Sequence, residues 1–383
     1  MSSGTSKTLY GVWGDSSSDV LAVGYPGIIL RYDGATWNTV SSVTYNDLAG
    51  IWGASTDNVF AVGDGGTIIR YSGSAWTTMT SGTSHDLIGV WGASTDNVFA
   101  VGASGAIYRY DGSAWSSMTS DNTSKLSGIW GSSPDNVFAV GDGGTVLHYD
   151  GSNWNAMASS TTNNLYGVWG SSSDNVFAVG DSGTIFRFDG SAWTSMTSGT
   201  TNNLYGVWGS SSDNVFAVGS GGTIINWNGT AWSTMTSNTT NNLYGVWGIS
   251  SDNVFTVGVS GTILHYDGTD WSAKISGTAT NHLRGVWGSS SDNVFTVGDS
   301  GTILHYEETP FVPPAIVSVS PTRAIQGENV TVTITGTYFL GTTAVSFGSE
   351  VTMNSFKVDS SSQITAEISV DGSAALGTRD VSV

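Results

Sequence analysis

Eight polar side chains recur at a near-fixed interval along this chain: Arg31, Arg70, Arg109, His148, Arg187, Asn226, His265 and His305. Such a series could form a ring of ligand-binding groups, and imidazole is a frequent zinc donor. The three histidines belong to three separate recurrences, whereas zinc holds its donors within about 2.1 Å. A zinc site is excluded on that ground. Pairing of each side chain with a turn aspartate of its own unit is expected instead.

Aspartates form two further series. Asp57, Asp96, Asp135, Asp174, Asp213, Asp252 and Asp292 each precede an asparagine, and Asp33, Asp111, Asp150, Asp189 and Asp267 each precede a glycine. Calcium takes about six to eight oxygens from clustered ligands. Each turn here offers one carboxylate, so Asx-type hydrogen bonding is expected, with calcium as the rival reading and no other cofactor. Both series should lie on one strongly acidic face.

A last series varies from one recurrence to the next: Tyr10, Ala49, Ile88, Ser127, Tyr166, Tyr205, Tyr244 and Arg284. Where the flanking residues repeat almost unchanged, the side chains that differ are those the fold does not dictate. Tyr10, Tyr166, Tyr205, Tyr244 and Arg284 are therefore the expected ligand-binding residues, at the mouth of a channel where tyrosines could stack on sugars. Packing against the next unit is the competing expectation.

The elements that hold these residues repeat. L-x-G-[VI]-W-G occurs eight times, with tryptophans at 13, 52, 91, 130, 169, 208, 247 and 287. A fixed period of this size marks an array of supersecondary units. Residues 165–203 show one unit. Apolar strands are expected at 165–170, 175–180, 184–188 and 192–197, with tight turns at Asp181-Ser182-Gly183 and Asp189-Gly190. Four short antiparallel strands in about 40 residues make one propeller blade. V-F-A-V in the second strand is apolar at every position, so that strand should be covered on both faces. Each first-strand tryptophan is expected to wedge between blades, burying roughly 200 Å².

The run V-W-G-S-S-S-D-N-V-F-A-V-G-D-S-G-T-I, followed by a D-G turn and a tryptophan, resembles the BNR or Asp-box-related propeller repeats of bacterial proteins. The resemblance covers residues 1–306. It implies an eight-bladed β-propeller and leaves sialidases, lectins and scaffolds open as functions. The Asp-box itself is degenerate, being shortened to segments such as Asp150-Gly151-Ser152-Asn153-Trp154.

The eighth unit stops after three strands, at Tyr306. Met1-Ser2-Ser3-Gly4 lies in register with Met196-Thr197-Ser198-Gly199, so residues 1–8 are expected to pair on the third strand of blade eight and close the ring. Phe311 follows Tyr306 at the spacing of Trp271 after Tyr266, and offers a substitute for the missing tryptophan. Residues 307–314 read as a Pro-rich linker. Residues 315–383 alternate as strands, expected at I-V-S-V-S-P, V-T-V-T-I-T-G, A-V-S-F-G, Q-I-T-A-E-I-S-V and D-V-S-V, and Gly336 to Gly348, with Pro321 and Gly327, resembles the IPT/TIG immunoglobulin-like domain. The resemblance implies a C-terminal Ig-like β-sandwich that acts as an extracellular spacer. The expected class is all-β throughout.

Composition narrows the function. With 30 acids against 11 bases the chain carries −19, opposite to the sign that phosphate backbones or anionic membranes require. Nucleic acid is excluded as a partner. No apolar run reaches the roughly 18 residues of a membrane span. Cysteine is absent, which removes disulfides, thiolate metal sites and cysteine nucleophiles. MSSGTSKT has no signal-peptide character, and the register of the repeat points to a fragment of a longer bacterial surface chain. Catalysis needs an asymmetric constellation that near-identical blades do not supply. The expected function is a non-enzymatic secreted or cell-surface platform for an extracellular protein or glycan. A multivalent lectin is the alternative and an Asp-box glycoside hydrolase the lesser one.

Overall fold

The computed structural model describes residues 1–274, 280–307, 313–339, 342 and 344–383. The chain divides into two compact units, Met1–Glu308 and Thr309–Val383. Seven four-stranded antiparallel sheets and one three-stranded sheet make up the first. In the fifth sheet the strands are Leu165–Ser172, Asn175–Gly180, Ile185–Phe188 and Trp193–Met196. They pair in chain order.

Local chemistry explains the turns. The loop between the second and third strands is a single 3-10 turn, Asp181–Gly183, with Ser182 and Gly183 at φ 54° and 70°. A Cβ on Gly183 would stand 2.1 Å from the Thr200 carbonyl oxygen, so glycine is required there. Between the third and fourth strands Asp189 accepts from the amides of Ser191 and Ala192, each at 2.9 Å. That is the expected Asx turn.

In the first unit the described cores are shared between neighbouring sheets. Val176 and Ala178 of the fifth sheet pack with Phe138 and Val140 of the fourth. Phe177 and Val179 join Leu204, Val215, Ile225 and Trp232 of the sixth. The uninterrupted V-F-A-V run follows from this, because alternate residues enter two different cores. Each fully buried Phe is worth about 1.5–3 kcal/mol.

Glycine sets how closely first strands approach. A Cβ on Gly170 would meet the Trp130 ring of the preceding sheet at 2.6 Å. The same relation joins Gly14 of the first sheet to Trp287 of the eighth, and the two share one core through Leu9, Val20, Phe295 and Val297. The first-strand tryptophans are only half-buried. The deeply buried ones lie on the fourth strands, such as Trp193 at 8% and Trp76 at 3% exposure. The first-strand tryptophans do lie between sheets, as Trp130 does against Gly170, and fourth-strand tryptophans join the same interfaces, as Trp193 does edge-on to Phe138.

The eighth unit departs from expectation. Its strands are Leu283–Ser290, Asn293–Gly298 and Ile303–Glu307, and among the described residues no fourth strand pairs with the third. Residues 1–8 contain no strand, so the expected pairing is not formed. They follow instead the course of the loops that link successive sheets. Ser3 Oγ bonds Thr5 O at 3.2 Å, as Ser198 Oγ bonds Thr200 O at 3.1 Å. Thr5 O stands over Gly301 as Thr200 O stands over Gly183. Phe311 lies outside the described residues.

In the second unit the strands Ala315–Ser320, Asn329–Thr337, Gln363–Val370 and Val351–Ser360 form one sheet in that spatial order. Val351–Ser360 is an addition to the expected strands. Its inward residues, Val351, Met353, Phe356 and Val358, change phase at a register shift between Met353 and Ser355, which breaks the alternation in the sequence. Ala344 to Gly348 and Asp380 to Val383, expected as strands, hold only the isolated bridge Ser346–Ser382. Leu340, Gly341 and Thr343 of the TIG-like motif lie outside the described residues.

Gly170→Ala should lower stability by about 1–3 kcal/mol through overpacking on Trp130, read as a shift of the urea midpoint at unchanged slope. An unchanged midpoint would show that the first strands have room to separate.

Candidate functional site

The varying position of each first strand places its side chain beside the second turns. Tyr166 and Tyr205 lie with ring centroids 5.7 Å apart, and Tyr205 and Tyr244 repeat that distance. Arg284 stands over the Tyr10 ring at 5.6 Å. The five residues singled out from sequence therefore fall on five successive sheets, the fifth to the eighth and the first. Ala49, Ile88 and Ser127 occupy the other three.

This arc is held by polar contacts. Tyr166 Oη donates to Asp181 Oδ1 at 2.7 Å, and Ser220 Oγ donates to Tyr205 Oη at 3.0 Å. Burial, then the bond to Asp181, pushes the Tyr166 phenol above its ordinary value of 10.0, so it remains a donor at neutral pH. Arg284 is exposed and pairs with Asp299 at 2.7 Å. The tyrosines are half-buried and lean on one another at about 50°. The rings pack between units, as the competing expectation has it, and part of their surface is open.

The eight third-strand side chains pair within their own sheets, and three of the arginines also reach the next sheet. The expected turn-aspartate partner is not found among the described residues: Arg31 pairs at 2.5 Å with Asp19, which opens its second strand. Elsewhere the partner is the asparagine after the aspartate, which opens the second strand: Asn58 for Arg70, Asn97 for Arg109 and Asn175 for Arg187. The histidines bond the same position, as His148 Nε2 does with Asn136 Oδ1 at 3.1 Å. The asparagine wins because it shares a strand face with the residue directly opposite the arginine: Asn58 stands two positions before Phe60, which faces Arg70, while the aspartate lies out in the turn. Asn226 differs again, donating to Val215 O. Arg31, Arg70 and Arg109 also donate to the tyrosine hydroxyl of the next sheet, Tyr71, Tyr110 or Tyr149, at 2.9–3.0 Å. Each of those hydroxyls donates onward to a turn carbonyl.

The paired asparagines before the fifth, sixth and seventh first strands were not singled out from sequence. Asn163 donates to Thr184 Oγ1 of its own unit, and Asn164 Oδ1 accepts from Gly143 N of the preceding one. The recurring N-N-L triplet was the available signal.

The two aspartate series share one face, where Asp174 lies against Gly190 of the neighbouring turn. Among the described residues no three His, Asp or Glu side chains gather as a metal site requires. The second-series carboxylates are tied into turns. Hydrogen bonds from Ser113 and Ala114 hold Asp111 at about 2.

With this geometry in hand, the comparisons with known proteins are brief. Residues 314–379 match the IPT/TIG domain. No curated protein matches the chain. Among solved structures, Sqt1 of Chaetomium thermophilum superposes with a TM-score of 0.69 at 13% identity, over 81% of this chain and 97% of that one. The C-terminal WD40 domain of Sif2 gives 0.65 at 10% identity, over 81% and 98%. A structure of YCF48 bound to D1 peptide gives 0.57 at 15%, over 81% and 94%. At such identities the likeness establishes the fold: the first unit is a WD40-like β-propeller of about eight blades.

His148 is held below its ordinary 6.5, chiefly by burial. The folded state therefore binds its proton less readily than the unfolded chain, and stability present above pH 6.5 is lost as pH falls below it. The urea midpoint should drop between pH 7.5 and pH 5, and drop less in His148→Asn. Equal drops in both proteins would remove His148 from that dependence.

Proposed function

We propose that this chain is a non-enzymatic, secreted or cell-surface interaction protein of bacterial type. Its propeller presents Tyr10, Tyr166, Tyr205, Tyr244 and Arg284 to an extracellular protein partner, and its TIG unit serves as a spacer. The observation that carries the reading is the contiguous arc: the side chains the repeat leaves free gather on adjacent blades. Aromatic and arginine side chains are the residues enriched at protein interfaces. The propeller of YCF48, bound to a peptide, supports a protein ligand on this fold.

The rest of the titratable groups support a non-enzymatic role. Arginines and histidines of the third strands clamp blades, and the second-series aspartates cap their own turns. A glycan reading draws less support, since the tyrosines lean on each other and two hydroxyls are already bonded. The relation to Asp-box repeats belongs to the same proposal, because Asp150 to Trp154 spans the third-to-fourth turn.

Serine at Tyr166, Tyr205 and Tyr244 reproduces what the fourth unit carries at Ser127. The triple variant should melt within a few degrees of the parent. Photocrosslinking from position 244 of the intact chain to bacterial envelope proteins should fall about tenfold on substituting the other two. Crosslinking that persists unchanged overturns the surface, and loss of a glycan-array signal in the triple variant transfers the reading to the lectin.

A further inference from the structure

The fifth and sixth sheets meet differently from the three earlier pairs in which an arginine faces a tyrosine. At three earlier interfaces the arginine of one sheet satisfies a guanidinium N–H on the tyrosine hydroxyl of the next. Arg187 has the same place in the fifth sheet, but the sixth carries Trp227 where Tyr71, Tyr110 and Tyr149 stand. An indole is a donor only, while a guanidinium has five N–H groups and no acceptor. Among the described residues the hydrogen-bond acceptor of Arg187 is Asn175 Oδ1, at 2.7 Å from Nε. The guanidinium carbon lies 5.7 Å from the Phe177 ring and 5.9 Å from the Trp227 ring. A half-buried cation is thus left with donors to spare.

Those donors border a cleft. A cavity of about 560 Å³ opens beside Arg187, lined also by Asp189, Met196, Trp227, Thr230 and Trp232. Its size lies within the range that accommodates small organic ligands. Trp232 is fixed by its Nε1 contact to Met196 Sδ at 3.5 Å, so the apolar wall is preorganised.

We propose that this cleft binds an aromatic monocarboxylate, whose carboxylate pairs with Arg187 and whose ring lies along Trp227 and Trp232. A planar carboxylate matches the guanidinium fork. Asp189 narrows the charge. Its carboxylate already accepts from the Ser191 hydroxyl and the amides of Ser191 and Ala192, which keeps it ionised. Together with a net charge of −19, it disfavours phosphate or sulfate dianions. The departure from the repeat supplies the reason for the site: the tyrosine that would consume the arginine's donors is absent only where the cleft opens beside an arginine. The inference is independent of the tyrosine arc.

Calorimetric titration of the intact chain with indole-3-propionate tests it, with indole-3-propionamide as the neutral control. The acid should bind at least tenfold more tightly than the amide, as loss of a charge-assisted hydrogen bond implies. Arg187→Gln should weaken acid binding by a similar factor. Trp227→Tyr restores the clamp of the other interfaces, so it should also weaken binding about tenfold while the melting temperature holds or rises. Absence of binding by the parent at about 10 mM, equal affinity for acid and amide, or full affinity in Trp227→Tyr would each overturn the proposal.

Discussion

The structure depends on burial shared between neighbouring sheets. A four-stranded sheet of this sequence is apolar on both faces of its second strand, and its own residues cover neither. Val176 and Ala178 are completed by the fourth sheet, and Phe177 and Val179 by the sixth. A single unit would therefore expose two apolar faces, the general condition under which repeats become stable only in arrays. The near-constant period follows. A changed spacing would displace a glycine from the facing tryptophan, where the clearance for a Cβ is only about 2.5–2.6 Å.

Polar groups are arranged as a consequence of that stacking. Close approach of sheets brings third-strand arginines and histidines under the aromatic rings of neighbouring strands. His148 stacks on Phe138 at 4.4 Å, and Arg109 lies over Phe99 at 5.5 Å. A cation removed from water needs partners, and the asparagine across the ladder with the tyrosine of the next sheet supplies them. Thus the series that most resembles a ligand-binding ring is the one most completely committed to holding sheets together.

Chemistry open to a partner is found where the repeat departs from itself. The first-strand position beside the second turns changes freely because no core requires a particular residue there. Five such changes fall on successive sheets and make one surface. Trp227, placed where six other units carry tyrosine, alters one interface and leaves an arginine facing a cleft. In a repeat this regular, function resides in the exceptions.

Much of this was written in the sequence. Short uninterrupted apolar runs, Asp-Gly turns and a near-constant interval determined the strands of units such as 165–203 almost to the residue, because those features act through neighbours in the chain. The candidate arc was legible too, as variation against a constant background. What the sequence did not determine was which groups meet across strands and sheets. Asparagine took the place expected for aspartate beside the arginines, and the fourth-strand tryptophan joined the first between sheets as the more deeply buried of the two. Residues 1–8 serve as a linking segment over Gly301 rather than a strand. Val351–Ser360 was hidden by a register shift that only a paired strand reveals. These contacts join residues distant in the chain, from 12 positions within a sheet to nearly the whole length of the first unit between Thr5 and Gly301. They depend on strand pairing and on the distance between sheets, which no local pattern encodes, and so the tertiary structure alone decided them.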